Sequence, residues 1–224
     1  LDIGYLWKIS NYLGFDISAY YMSYDNRIGT IAQQRSNGSF YNYRTNIGNS
    51  FSRGFEGMIE IYPVKAFTKN NRMGDISLFV SYSYTNAFYG NMVQVTKNSS
   101  NQLVETNLKN KKVENAPENI IRAGLSYRYK DLIITGQMSY VDETFADANN
   151  TFIPTANGQN GLIPSYRVID FTATYTLYKF INIKTGINNL FDKAYFTRRS
   201  GGYPGPGVLP ADGRSFFISI GAKF

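Results

Sequence analysis

The chain has 224 residues, room for one large β domain or two small ones, and carries a net charge of +7 from 23 Lys and Arg against 16 Asp and Glu. It contains neither cysteine nor histidine, which excludes disulfides and thiolate metal sites and removes the commonest general base. No apolar run reaches the ~18 residues of a transmembrane helix, yet 19 Tyr and 16 Phe accompany a mean hydropathy of −0.30, a pairing that suits a barrel in which only alternate residues need be apolar.

Successive strand residues point to opposite faces, so each expected element is a run with period two. Leu1 to Ile9 sets Leu1, Ile3, Tyr5, Trp7 and Ile9 against Asp2, Gly4 and Lys8. A short turn at 11–14 leads to a second strand, Phe15 to Tyr24, and a polar stretch of about 25–42 reads as a loop. The third strand runs from Tyr43 to Tyr62 and stops at Pro63, which has no N–H for a ladder. Asp75 to Tyr89 is followed by a second long loop, about 90–117. Ile121 to Tyr129 and Leu132 to Tyr140 flank a turn at Lys130-Asp131. After a third loop, about 146–164, Ile169 to Leu177 and Ile181 to Asn188 reverse tightly near Tyr178 to Phe180. A fourth loop spans about 197–213 before the terminal strand, in which Phe216, Ile218, Ile220, Ala222 and Phe224 share one apolar face.

About nine strands result, with short connections alternating with long ones. Loops longer than about 12–15 residues are uncommon in compact domains, and here they collect at one end of the strands, as the extracellular loops of outer-membrane barrels do. The expected fold is therefore all-β: a transmembrane antiparallel β-barrel, with residues 1–224 as its C-terminal portion. The abrupt strand at Leu1 and the odd strand count, where bacterial barrels have an even one, lead to the expectation that this is part of a longer chain. The scattered basic residues give no stripe for nucleic acid.

Three stretches resemble the TonB-dependent receptors of the bacterial outer membrane: Ile187-Asn-Asn-Leu-Phe-Asp-Lys-Ala-Tyr-Phe196; Tyr203-Pro-Gly-Pro-Gly207 with Pro210-Ala-Asp-Gly-Arg-Ser-Phe216; and Asn46-Ile-Gly-Asn-Ser-Phe-Ser-Arg-Gly-Phe-Glu56. The resemblance implies a plugged barrel of about 22 strands, a plug domain and TonB-engaging segment outside this sequence, and import of a ferric chelate of the dicitrate or siderophore type into the periplasm. It implies no cofactor (the ferric chelate is cargo) and no covalent chemistry. The implied partners are outer-membrane lipid and lipopolysaccharide, the barrel assembly machinery, and the TonB complex through the N-terminal region.

Candidate site residues follow from position. Arg198 and Arg199 lie at the expected extracellular mouth, where planar donor forks suit an anionic chelate; lipopolysaccharide phosphate or plain solvent is the alternative. Arg35 and Arg44 flank the first long loop, and Lys109, Lys111 and Lys112 form a basic run in the second. Phe216, Ile218, Ile220 and Phe224 form the expected assembly signal. Asp170, Arg122, Arg128, Lys184, Glu56 and Glu60 share the polar face and are expected to line the lumen. The glycine-rich stretch 201–207 lacks the Gly-Lys-Ser/Thr ending of a phosphate loop. A passive porin, a receptor for a non-iron nutrient, an outer-membrane enzyme and a soluble nucleic-acid binder are the competing functions; the missing histidine disfavours the enzyme.

Overall fold

The alternating segments assemble into one antiparallel sheet in the computed structural model, which describes residues 1–35, 37–68, 72, 74–203 and 205–222. Its elements are β1 (Asp2–Lys8), β2 (Leu13–Gln34), β3 (Phe40–Ile61), α1 (Pro63–Phe67), β4 (Asp75–Lys97), β5 (Leu103–Asn107), β6 (Asn119–Tyr129), β7 (Leu132–Val141), β8 (Thr144–Phe145), β9 (Leu162–Ile163), β10 (Tyr166–Leu177), β11 (Ile181–Asn188), β12 (Phe196–Ser200), β13 (Gly207–Pro210) and β14 (Ser215–Ala222). The path β1-β2-β3-β4-β6-β7-β10-β11-β14 contains the nine expected strands as neighbours, with β5 paired to β4; β8–β9 and β12–β13 are separate ribbons.

Register holds the two faces apart across the whole path. One cross-strand row reads Leu13, Ile61, Leu78, Leu125, Gly136, Phe171, Ile187 and Phe216. The adjacent row reads Lys8, Gly14, Glu60, Phe79, Gly124, Gln137 and Asp170. A one-residue slip anywhere would exchange these faces, so the pattern fixes the pairing. The apolar face is uncovered: Phe216, Ile218 and Ile220 are each 71% exposed, more than a water-facing surface tolerates as a contiguous patch.

The apolar belt has a defined height. On β10 it runs from Leu177 to Ile169 before Arg167 takes the next position on that face, and on β3 it runs from Ile61 to Phe55 before Arg53. At ~3.3 Å per residue and a tilt of ~40°, the nine residues on β10 give roughly 23 Å, close to the ~25 Å band of outer-membrane barrels, and the seven on β3 give about 18 Å. Rings cluster near both margins: Trp7 on Phe15 at 5.7 Å, Phe51 on Phe88 at 5.6 Å, and Phe55 on Tyr82 at 5.4 Å. On the polar face two rings lie over glycines. A side chain at Gly124 would meet Phe79 at 2.2 Å, and one at Gly186 would meet Phe217 at 2.6 Å. This is why Phe217 interrupts an otherwise small and polar row.

Two expected loops are corrected. The stretch 25–42 is mostly strand, because β2 continues to Gln34 and β3 begins at Phe40, with only 35–39 between them. The stretch 90–117 is part strand too: β4 continues to Lys97 and folds back as β5. β2 and β3 have 22 residues each and β4 has 23, about twice what the belt needs. Above the belt both faces meet water, so the ladder persists while the apolar alternation that announces a strand does not. At the opposite end the connections are short, as expected: 9–12, 130–131 and 178–180, with α1 inside the intermediate one.

Candidate functional site at the long-loop end

Three connections meet beyond the belt and are tied to one another by named bonds. The 98–118 connection runs back along upper β4, with Leu108 N–H on Met92 O at 2.9 Å, Asn110 N–H on Tyr89 O at 2.9 Å and Val113 N–H on Ala87 O at 3.0 Å. This buries Tyr89, Met92 and Leu108 as a small core, packed by Ile47, Val113 and Ala148. The Tyr89 hydroxyl donates to Glu114, while Arg27 sits 5.3 Å over the ring and donates to Ser50 Oγ at 3.1 Å.

The 142–165 connection attaches to this layer. Lys111 Nζ donates to Asn149 O at 2.6 Å, Lys112 N–H donates to Asn150 Oδ1 at 2.7 Å, and Asn150 Nδ2 returns a bond to Lys112 O at 2.8 Å. Inside the connection, the Asp147 carboxylate accepts from Thr151 Oγ1 at 2.8 Å and from the backbone of Asn149 and Gly161. The third connection, carrying β12–β13, is held by Arg199. Its Nε and Nη2 donate to Leu162 O at 3.1 and 2.9 Å, its Nη1 donates to Gly158 O at 2.9 Å, and it lies 4.9 Å over Phe196.

The expected site residues therefore separate by environment. Arg199 is partly buried, with its donors on backbone carbonyls of the neighbouring loop, while Arg198 beside it on β12 is exposed. Arg44 is exposed opposite Thr30 on the β2–β3 hairpin, and Arg35 lies at its turn, 4.9 Å over Tyr41. The sheet path puts that hairpin near one edge and β12–β13, between β11 and β14, at the other, so the four arginines do not form one cluster along the sheet. Lys111 is used in loop contacts, Lys112 pairs with Glu118 at 2.8 Å, and Lys109 is exposed. Phe216, Ile218 and Ile220 lie on the apolar face of β14; Phe224 lies outside the described residues.

Among the grooves along the polar face, two lie near the carboxylates expected to line the lumen. One of about 230 Å³ is lined by Asp16, Glu56, Ser81, Ser83 and Arg122, with Ser83 Oγ donating to Glu56 at 3.4 Å. The other, about 470 Å³, lies at the short-turn end among Leu6, Asp16, Met58, Glu60 and Tyr62. There the Tyr62 hydroxyl donates to Glu60 at 2.6 Å, and that carboxylate holds the phenol above its ordinary pKa.

Two residues that the sequence marked only as part of a motif prove to be a clip. Asn189, 4% exposed, donates its amide N–H to Asp170 Oδ1 at 2.8 Å and its side-chain NH₂ to Lys193 O and Asp212 O, while its Oδ1 accepts from Lys193 N–H. Asp192 Oδ1 accepts from Arg214 N–H at 2.8 Å. The Asn-Leu-Phe-Asp segment and the Asp-Gly-Arg segment are thus two halves of one structure that closes the last loop.

Comparison with known proteins agrees with this architecture. The family model for the TonB-dependent receptor-like β-barrel matches residues 1–190. A probable TonB-dependent siderophore receptor, PiuA of Acinetobacter baumannii, is 28% identical over 111 residues, which is 49% of this chain and 13% of that protein. The crystal structure of the ferric citrate transporter FecA superposes with a TM-score of 0.77 at 19% identity, covering 100% of this chain and 30% of that one. The PiuA structure gives 0.73 at 21% identity, with 100% and 28% covered, and the copper transporter OprC gives 0.68 at 18% identity, with 100% and 30% covered. The chain spans less than a third of each of these proteins. With its belt, its one-ended loops and a family match over most of its length, the chain belongs to the TonB-dependent receptor β-barrel family, whose members are transporters of the bacterial outer membrane rather than enzymes.

Proposed function

We propose that this chain is the C-terminal barrel wall of a receptor that captures an anionic ferric chelate, of the citrate or siderophore class, outside the cell and passes it to the periplasm with TonB-supplied energy. The observation that carries the reading is the stitched loop end, where three connections form one layer and Arg198 stays exposed beside Arg199 at its margin. An exposed guanidinium there presents a planar fork to chelate carboxylates. Arg199, bonded to carbonyls, sets where Arg198 sits. Capture requires only complementarity at this surface; passage requires the plug, for which the polar-face groove near Asp16 and Glu60 is the seat in this reading.

The test uses the full-length receptor in outer membranes. Binding of ferric citrate, a ferric hydroxamate and a ferric catecholate would be titrated by calorimetry, with radiolabelled iron uptake in parallel. Saturable binding of one ferric chelate with TonB-dependent uptake is the expected result. Binding of a copper complex instead, given the similarity of fold to OprC, or ion conductance without any chelate binding, would overturn it.

A further inference from the structure

The sheet forks at its long-loop end. β3 and β4 pair from Ile61 and Leu78 up to Gly48 and Met92, and there their ladder stops. Above that point β3 stays with β2, from Asn46 opposite Ile28 to Phe40 opposite Gln34, while β4 pairs Val93 to Lys97 with β5. β5 lies on the edge of β4 away from β3, because it continues into the 108–113 stretch that bonds to Ala87, Tyr89 and Met92 along that edge. The edge of β3 over 41–47 and the edge of β4 over 93–96 therefore face each other across the fork. Among the described residues no backbone–backbone bond reaches either of these facing edges.

Bulges mark the root of the fork. Register shifts on both sides of Arg27 in the β2–β3 ladder and between Gly48 and Ser50 in the β3–β4 ladder, and a bulge bends its strand. Gly48 has a φ of 142° and a side chain there would meet Asn91 O. Two buried side-chain oxygens beside the fork have no hydrogen-bond partner: Asn49 Oδ1 at its root and Gln94 Oε1 on the β4 arm. The charge is one-sided as well. Residues 26–49 and 90–104 contain Arg27, Arg35, Arg44 and Lys97 and no Asp or Glu; Glu105 stands on β5, one strand further from the fork. Arg27 is engaged by Ser50 and Tyr89, whereas Arg44 is exposed midway along the open β3 edge.

We propose that the fork between the β2–β3 and β4–β5 hairpins takes an acidic, extended peptide segment of another protein outside the cell, adding it as a strand between β3 and β4. The open edges identify the class of partner. A strand edge presents N–H and C=O groups in alternation, and another peptide backbone answers both; a sugar or a phosphate chain has no such ladder. A strand laid between two edges pairs with each at ~4.8 Å, and the β4 arm fixes the paired length at roughly 13 Å. Charge identifies the side chains, since cationic arms without a carboxylate favour an acidic segment and reject a basic one. Exposed Val93 and Tyr43 on the two arms offer apolar contact to alternate residues of the added strand, and Gln94 Oε1 offers an acceptor to a donor of the segment. This surface is separate from Arg198 and does not depend on chelate capture.

The test uses the full-length receptor in nanodiscs. A random decapeptide library displayed on yeast would be selected against it, and the enriched peptides synthesised. They are expected to carry net negative charge and to slow hydrogen exchange at the fork-facing amides of 41–47 and 93–96 at least tenfold. Methylating alternate backbone nitrogens of such a peptide should weaken binding at least tenfold, because it removes the ladder donors and keeps the charge. Arg44→Gln should weaken binding severalfold, and Lys179→Gln at the opposite end should leave it unchanged. Slow exchange at those amides in the receptor without peptide would overturn the proposal by showing that another segment of the receptor fills the fork. No enrichment, enrichment of neutral or basic peptides, or protection confined to other strands would overturn it equally.

Discussion

Arg214 N–H donates to Asp192 Oδ1 at 2.8 Å across a separation of 22 residues in sequence, and this bond joins the segment leaving β11 to the first residue before β14. It explains why the two stretches occur together: the acidic side chain supplies the acceptor that the terminal strand needs to start in register. Asp192→Ala is expected to lose about 1 kcal/mol locally, since water can replace an exposed bond. Hydrogen exchange at the Arg214 amide should speed up about fivefold. Asn189→Ala, which removes bonds at a 4% exposed site, should cost about 1–3 kcal/mol, read from the denaturant midpoint of the refolded receptor.

Arg199 and Arg198 should fail differently. Arg199→Ala frees the carbonyls of Leu162 and Gly158, and limited proteolysis should then cut within 146–164 severalfold faster. Arg199→Lys is not expected to rescue, because one ammonium cannot reproduce the three donor directions. Arg198→Ala should leave the proteolysis pattern unchanged and weaken ferric chelate binding about tenfold in the full receptor; unchanged affinity would return Arg198 to the solvated surface.

The glycines under rings predict a compensated pair. Gly124→Val places a side chain into the space of the Phe79 ring and should destabilise the barrel by about 1–3 kcal/mol through overpacking. Adding Phe79→Ala should recover part of that loss. Additive losses in the double variant, measured by denaturant titration, would show that the ring and the glycine are not coupled.

The closing strand can be tested on its outward face. Ile218→Arg, near the middle of the belt, should cost about 2–4 kcal/mol and lower the folded fraction in heat-modifiability gels, whereas Ser219→Arg on the other face should cost less. Replacing Phe224 with Ser is expected to impair assembly, and normal outer-membrane levels of that full-length variant would count against its role in the signal.

Much of the barrel wall was legible because lipid on one side and water on the other imprint period two on the chain. The belt strands fell within a few residues of expectation for that reason. The upper halves of β2 and β4 were illegible for the same reason inverted: Asp25 to Gln34 meets water on both faces, so nothing in Asp-Asn-Arg-Ile-Gly-Thr-Ile-Ala-Gln-Gln distinguishes ladder from loop. The tethering role of Arg199 was hidden as well. Its partners are carbonyls 37 and 41 residues away, and any residue at those positions supplies a carbonyl. Asn189 and Asp192 stood in between, visible as a family motif while their geometry was not.

The three bonds from Arg199 also mean that the last two loops cannot be displaced separately. A cargo that presses on β12–β13 pulls directly on Gly158 and Leu162, and through Asn149 and Asn150 on Lys111 and Lys112 beside the Tyr89 core. Load applied at one rim of the mouth is thereby delivered to strand β4, four positions away along the sheet path, without passing through the wall between them.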